Sequence, residues 1–428
     1  MKKKITQEFK KEFLIILFFI SVFITIRSIH FIYHLTFMGW DQAEHAIAAL
    51  NVVKNKKLVL LGPRISAVSY QNKQIFLGPA MTYLMVFFLV LGKWDPAIAS
   101  YIFMIFSGLM IVPLYYGVKW LVGKRSAWIM VIFYTLLPYY LTYTRFLWNP
   151  NFQFALLPIL FFLMGYYQKS KKQLILFLIS FWLGILFQLH YQFIFSLILI
   201  TTYYFLLKKE GLKKFLIFCA GFLAGVSPLI LFEFRNQFYL TNTLILYAKH
   251  YKEVQRIGNK DHYYLSQSFI FLLGFLALIN NYLEKIKVKV NIALLSFLSL
   301  ILFSFSARNT FIRPDTEFWS YVPYWNYPAE VKVYEIIKKE DLKNFNVTNQ
   351  LYDSLALIQK YMLMRDNITI NFDDYYNNKY LFIIEKTGKK NYMENPGYEV
   401  LGFRPYRYLK TWKINDHFCM HLVERLNK

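Results

Sequence analysis

The chain has 428 residues, 57% of them hydrophobic and 20% aromatic, and its 49 Lys and Arg against 25 Asp and Glu give a formal charge of +24. Charges gather in short clusters between long apolar runs, which excludes an ordinary soluble protein, whose amphipathic helices carry charge throughout. The basic residues sit mostly in short loops, where they orient helices in a bilayer, so the charge is not read as a nucleic-acid surface.

The N-terminal "MKKKITQEFKKEFLIILFFISVFITI" has the charge of a signal peptide, but its apolar run is too long and lacks a small-residue cleavage site. It reads as an uncleaved first helix starting in the cytoplasm. Runs of about 17–25 apolar residues cross a bilayer. Such runs fall at roughly 13–35, 75–91, 97–120, 126–146, 152–167, 173–188, 191–207, 213–232, 264–283 and 290–307. The positive-inside rule places "QKSKKQ" (168–173), "KKEGLKK" (208–214) and "EKIKVKV" (284–290) inside. "TRFLWNPN" (144–151), "LHYQ" (189–192), 233–263 and everything after Arg308 are then outside, as is a first loop, 36–74.

The spans 75–91, 97–120 and 126–146 separate two outside segments, 36–74 and 144–151, and an odd number of crossings is impossible. One of the three is therefore split or re-entrant, and Pro113 and Pro138 mark places where a helix can break.

From 308 the composition changes to "NTFIRPDTEFWSYVPYWNYPAE", aromatic and charged. A helix-like stretch at 329–340, "LYDSLALIQKYMLMR" (351–365), the strand-like "KYLFIIEK" (379–386) and an alternating end, "RYLKTWKINDHFCMHLVER", follow. The domains expected are thus a membrane module over 1–307 and a small extracytoplasmic α/β domain over 308–428. Of two cysteines, Cys219 lies in an apolar run and Cys419 near the end, which gives neither a disulfide framework nor a metal cluster.

"GWDQAEHAIAALNVVK" (39–54) places Asp41, Glu44 and His45 just where the chain leaves the first helix. Asp41 with Glu44 three residues on has the form of a capping box, opening a helix along the membrane surface through Ala43, Ala46, Ile47, Leu50 and Val53. A carboxylate at the lipid–water boundary also has the place of a general base that takes the proton of an attacking hydroxyl. The two readings are compatible. Other polar groups collect at external helix ends: Arg64 and Lys73 beside two Gly-Pro turns, then Arg145, Trp148, Asn149 and Asn151. His190 and Gln192 follow, then Glu233 and Arg235. Singly, the arginines read as snorkelling side chains and His190 as a helix-end hydrogen bonder; together they mark a wet cavity opening outward.

"WDQAEHA", "LLGPR" with "IFLGPAMTYL", "RFLWNPN", "FQLHYQ" and "PLILFEFRNQF" occur in that order over roughly residues 1–250. The ordered set resembles the GT-C membrane glycosyltransferases, the family 39/83 group that includes protein O-mannosyltransferases and aminoarabinose lipid A transferases. The resemblance implies an all-α polytopic fold of about 9–11 transmembrane helices in the cell membrane. It also implies transfer of a sugar from a polyprenyl-phosphate donor to an acceptor hydroxyl on the outer face, with inversion. Asp41 matches the family's first-loop acidic residue, the proposed base. Where many relatives carry Asp-Glu, this chain has Asp41-Gln42, and Glu44, one turn along, is the substitute on offer. Asn149 and Asn151 stand where some relatives have a second aspartate. A divalent metal wants several carboxylate oxygens, so no metal or cofactor is expected, and Arg64, Lys73, Arg145 and Arg235 are the candidates for steadying the leaving phosphate. The expected partners are the lipid-linked donor, membrane lipids and an acceptor of unknown class, with no nucleic acid. The rival readings are a transporter or flippase of lipid-linked sugars, which predicts repeats and mid-membrane charge, and a relative that only binds them.

Overall fold

The computed structural model describes residues 2–32, 38–70, 73–250, 264–285, 288–307, 322–351, 354–370, 377–388 and 397–426. Of the aromatic stretch read at 309–330, residues 309–321 lie outside them. The chain begins with α1 (Lys2–Ile32), α2 (Trp40–Asn55), a hairpin of β1 (Arg64–Tyr70) and β2 (Lys73–Phe76), then α3 (Ala80–Leu91), α4 (Pro96–Leu109) and α5 (Ile111–Leu121). It continues through α6 (Lys124–Leu136), α7 (Pro138–Thr142), α8 (Asn149–Ser170), α9 (Gln173–Leu189), α10 (Ile194–Thr202), α11 (Leu212–Gly225) and α12 (Ser227–Arg235). The helical part closes with α13 (Tyr239–Lys249), α14 (Leu265–Lys285) and α15 (Val288–Ala307).

Apolar length in sequence overstates helix length. Among the described residues three helical runs are long and apolar enough to cross a bilayer: Lys10–Ile29, Pro96–Leu121 and Leu265–Lys285. A fourth exists if α11 and α12, bent by 68°, count as one. The ten runs read from sequence are therefore not ten straight spanning helices. The run 75–91 yields only the 12 residues of α3. At 1.5 Å per residue that is about 18 Å, well short of a hydrocarbon core of about 30 Å.

Contacts at the two ends of the bundle bear on the parity conflict. The turn after α3 meets the C-terminal unit, where Tyr361 donates to the Trp94 carbonyl (2.8 Å) and Tyr327 to Asp95 Oδ2 (2.9 Å). The first loop meets the same unit: Lys54 Nζ reaches the Met364 carbonyl (2.5 Å) and Asn367 Oδ1 (2.6 Å). So α3 returns to the end it left. At the opposite end Glu12 of α1 binds Lys119 of α5 (2.7 Å) and Lys124 of α6 (2.8 Å). The run Pro96–Leu121, formed by α4 and α5, leads from that end to the end that holds Glu12, and α6 starts there and runs back toward 144–151. Pro113 sits in the first turn of α5 without ending the span, whereas Leu137–Pro138 ends α6.

The basic loops join Glu12 at that opposite end. Lys169 lies 4.4 Å over the Trp120 ring, and Glu210 holds Lys214 (2.5 Å) and Lys171 (3.7 Å). Ser126 bonds Asn280 at 3.2 Å, and Arg125 donates to the Leu283 carbonyl.

The C-terminal unit contains α16 (Tyr327–Glu340), β3 (Phe345–Asn349), α17 (Leu357–Arg365), β4 (Tyr380–Lys386), β5 (Tyr406–Lys413) and β6 (Phe418–Arg425). Its sheet has the order β3-β4-β6-β5, with β3 and β4 parallel and the other pairs antiparallel. The helix at 329–340, the strand at 379–386 and the paired end match their sequence readings; β3, whose Phe345-Asn346-Val347-Thr348 alternates over only four residues, was not read from the sequence. Val333, Tyr361, Phe382 and Met420 belong to the same buried cluster as the bundle residues Phe103 and Phe154.

Close helix approach depends on small residues. A Cβ on Gly225 of α11 meets the Phe181 carbonyl and comes within 3.0 Å of Gly184 Cα in α9, whereas nothing lies within 4 Å of one on Gly274. Gly225→Leu is expected to wedge α9 from α11 and destabilise the protein by about 1–3 kcal/mol. Thermal unfolding in detergent measures this, with Gly274→Ala, in the interior of α14, as the control that does not lower the midpoint.

Candidate functional site

The opening of α2 departs from the capping-box reading. The helix starts at Trp40 with Gly39 as N-cap, and Gln42 Oε1 accepts from the Gly39 N–H at 2.8 Å. Asp41 is therefore not the cap. Gln42, the departure from the family's acid pair, does the reaching back, and Asp41 stands in the first turn, where the helix N-terminus favours a negative charge. The Trp148 indole, which only donates, hydrogen-bonds the Asp41 carboxylate. Burial pushes the Asp41 carboxyl above its ordinary range, with Trp148 and the nearby Arg64 guanidinium pulling the other way.

Glu44 lies beside it, 3.4 Å from Arg64 Nε. Burial raises this carboxyl too; Arg64 opposes the shift and Asp41 adds to it. His45, next in α2, is buried and held down to about 3, a neutral imidazole at any physiological pH. Its Nδ1 has no hydrogen-bond partner among the described residues. Glu44, His45 and Arg64 line a cavity of about 230 Å³ together with Leu61, Phe76 and Thr82. Leu61 and Phe76 also line a neighbouring open groove of about 600 Å³, where Arg235 and Tyr239 stand.

Arg64 is aimed by the two Gly-Pro turns. Gly62 N–H donates to the Leu77 carbonyl and Leu77 N–H to the Pro63 carbonyl, both at 2.9 Å. A Cβ on Gly62 would strike the Gly78 carbonyl, so only glycine permits this approach. Tyrosine hydroxyls bind the same loop: Tyr191 donates to the Phe76 carbonyl (2.5 Å), Tyr247 to that of Lys73 (2.5 Å) and Tyr83 to that of Val59 (2.9 Å). Lys73 Nζ lies 5.9 Å over the Tyr239 ring, at the edge of the groove.

The remaining expected ligands divide differently. Asn149 Nδ2 donates to the Leu189 carbonyl (3.2 Å) and Asn151 Nδ2 to that of Phe146 (2.8 Å), so both amides hold the start of α8 rather than face the cavity. His190 is partly buried, which holds its imidazole down to about 4, and its Nδ1 accepts from the Gln192 N–H (3.4 Å). Glu233 accepts from the Leu240 and Thr241 N–H groups (2.8 and 2.9 Å), which caps α13. Arg145 does not snorkel: it is buried beside Arg27, which donates to Thr144 Oγ1 at 2.6 Å and to the Thr135 carbonyl at 3.0 Å. Arg145 lines neither hollow.

Sequence reasoning passed over Thr82, noted His45 only by its place beside Asp41, and counted Gln188 only among the polar groups at an external helix end. Gln188 is a hub: its side chain donates to the Gly225 carbonyl (2.6 Å) and accepts from the Ala80 N–H (3.4 Å), and its carbonyl accepts from Gly78 (3.1 Å).

A carboxyl whose pKa is raised on folding destabilises the folded state when ionised, above its unfolded pKa, and the penalty vanishes as pH falls below that value. Asp41→Asn keeps the acceptor for Trp148 and removes the charge. It is expected to be at least as stable as wild type near neutral pH, with the gap closing in acid, as read by thermal melts across pH.

No protein-family model matches the chain, and no curated protein does. Solved structures do. The crystal structure of ArnT from Cupriavidus metallidurans bound to undecaprenyl phosphate aligns over 96% of this chain and 98% of its own, with a TM-score of 0.57 and 9% identity. The apo state of the same protein aligns over 96% and 97%, with a TM-score of 0.57 and 10% identity. ArnT is a GT-C glycosyltransferase, the class that the ordered segments resemble. At this identity the likeness shows the fold: the chain is built as a polytopic membrane protein on the plan of ArnT.

Proposed function

We propose that the protein is an integral membrane glycosyltransferase that moves a sugar from a polyprenyl-phosphate donor to an acceptor hydroxyl at the outer face. The observation that carries the reading is Asp41: released from capping by Gln42, held by Trp148, and set beside Glu44 and Arg64, the two charged residues that line the cavity. The ArnT structure that shares the fold was crystallised with undecaprenyl phosphate, which supports a lipid-phosphate donor here.

In this reading the acceptor hydroxyl attacks the anomeric carbon from the face opposite the phosphate. Asp41 takes its proton, the carbon–oxygen bond to phosphate breaks, and the carrier leaves as the polyprenyl phosphate, inverting the centre. Arg235 and Lys73 border the open groove and receive the developing phosphate charge. Arg64 opposes the upward shift that burial gives Asp41 and Glu44, which favours the carboxylate form that a base needs. No metal is invoked, because these side chains supply the positive charge. The end bearing the C-terminal unit faces outward and the end bearing the basic loops faces the cytoplasm.

Transfer in membranes from a panel of labelled polyprenyl-phosphate sugars tests this. Wild type is expected to consume one donor, and Asp41→Asn to lose about 10²–10⁴ in rate. An equally expressed Asp41→Asn with wild-type rate ends the mechanism. The acid limb of kcat/KM should lie above the ordinary aspartate range and rise further in Arg64→Gln, because that guanidinium holds the carboxyl down; a limb that stays put in the variant removes Arg64 from the site.

A further inference from the structure

We infer that the C-terminal unit carries a divalent metal site formed by Glu385, Cys419 and His421. Antiparallel pairing of β4 and β6 sets Glu385 opposite Cys419 and Ile383 opposite His421, so all three polar side chains share one face of the sheet. One ligand atom from each, a carboxylate oxygen, the thiol sulfur and an imidazole nitrogen, lies within 4.8 Å of the others. His421 Nε2 is 2.7 Å from Glu385 Oε1 and 3.4 Å from Cys419 Sγ.

Two features separate this group from a plain ion pair. Glu385 is 3% exposed, and its Oε2 has no hydrogen-bond partner among the described residues, a costly state for a buried carboxylate oxygen. The other ring nitrogen of His421, Nδ1, is 2.8 Å from Thr411 Oγ1 on β5. That contact fixes the ring through Nδ1 and points Nε2 at Glu385 and Cys419, the arrangement typical of metal-bound histidine. Carboxylate and sulfur converge on that same Nε2. A Cys–His–Glu catalytic relay would put them on opposite nitrogens.

One thiolate, one imidazole and one carboxylate suit a borderline cation of the zinc class in tetrahedral coordination, with a fourth position for water or another ligand. The ion would join β4 to β6 directly and reach β5 through Thr411. The site lies in the sheet, apart from Asp41, and does not depend on the proposed transfer.

The full-length protein, purified in detergent and stripped with chelator, is titrated with Co²⁺ and then Zn²⁺. The expected result is one Co²⁺ per chain with a thiolate-to-cobalt charge-transfer band that Zn²⁺ bleaches. Cys419→Ser loses the band, Cys219→Ser keeps it, and Thr411→Val keeps it with affinity about 10–100-fold weaker. Absence of a band in a folded wild type, or its persistence in Cys419→Ser, overturns the site and leaves an internal ion pair.

Discussion

A carboxylate taken out of water is unstable as an ion unless dipoles and positive charge are fixed around it, and the end of the bundle that meets the C-terminal unit is arranged around Asp41. The indole of Trp148 is one such dipole, the N-terminus of α2 a second, and Arg64 supplies the charge. Each is placed by something else. Trp148 is the residue before α8, whose first turns are tied to the end of α9 by Asn149 and Gln153. Arg64 follows a Gly-Pro turn packed against its twin, which Gln188 fastens to α9 and α11. Loosening any of these connections moves a group that the carboxylate needs.

The sequence made part of this legible. Position alone singled out 39–54, because a charged stretch directly after an apolar run is rare without cause. Arg64 was visible beside its glycines, and the basic loops proved to meet at one end, as charge bias alone implied. What stayed hidden were the choices between neighbouring residues. Asp41 and Gln42 are both competent to satisfy a helix start, and only the geometry of Gly39 decides that the amide does it and the acid does not. Apolar runs gave no helix lengths either, since 75–91 is greasy throughout yet α3 ends after 12 residues.

The Glu385, Cys419 and His421 group was illegible for a different reason. Metal-site spacings are readable when ligands share a turn or a loop, as in paired-cysteine motifs. Here they come from two strands more than thirty residues apart in sequence. Only the register of β4 on β6 makes them neighbours, and a shift of one residue would send the Glu385 side chain to the opposite face.

The fold itself sorts the polar residues that the sequence could only pool. A bundle in lipid has to satisfy every backbone group it breaks, and the breaks here collect at one end: the start of α3, the gap between α6 and α8, the end of α9 and the bend between α11 and α12. Carbonyls and N–H groups opened there are met by neutral amides, with Asn149 on Leu189, Asn151 on Phe146, and Gln188 on Gly225 and Ala80. Neutral amides suit that task because they offer donor and acceptor without bringing a charge into an apolar setting. Charge is then surplus to the architecture. Glu233 is the exception, spent on the N-terminus of α13, while Asp41, Arg64 and Arg235 close no broken helix end among the described residues. Residue type therefore divides the same helix ends into supports, which are mostly amides, and ionic groups that the architecture does not need.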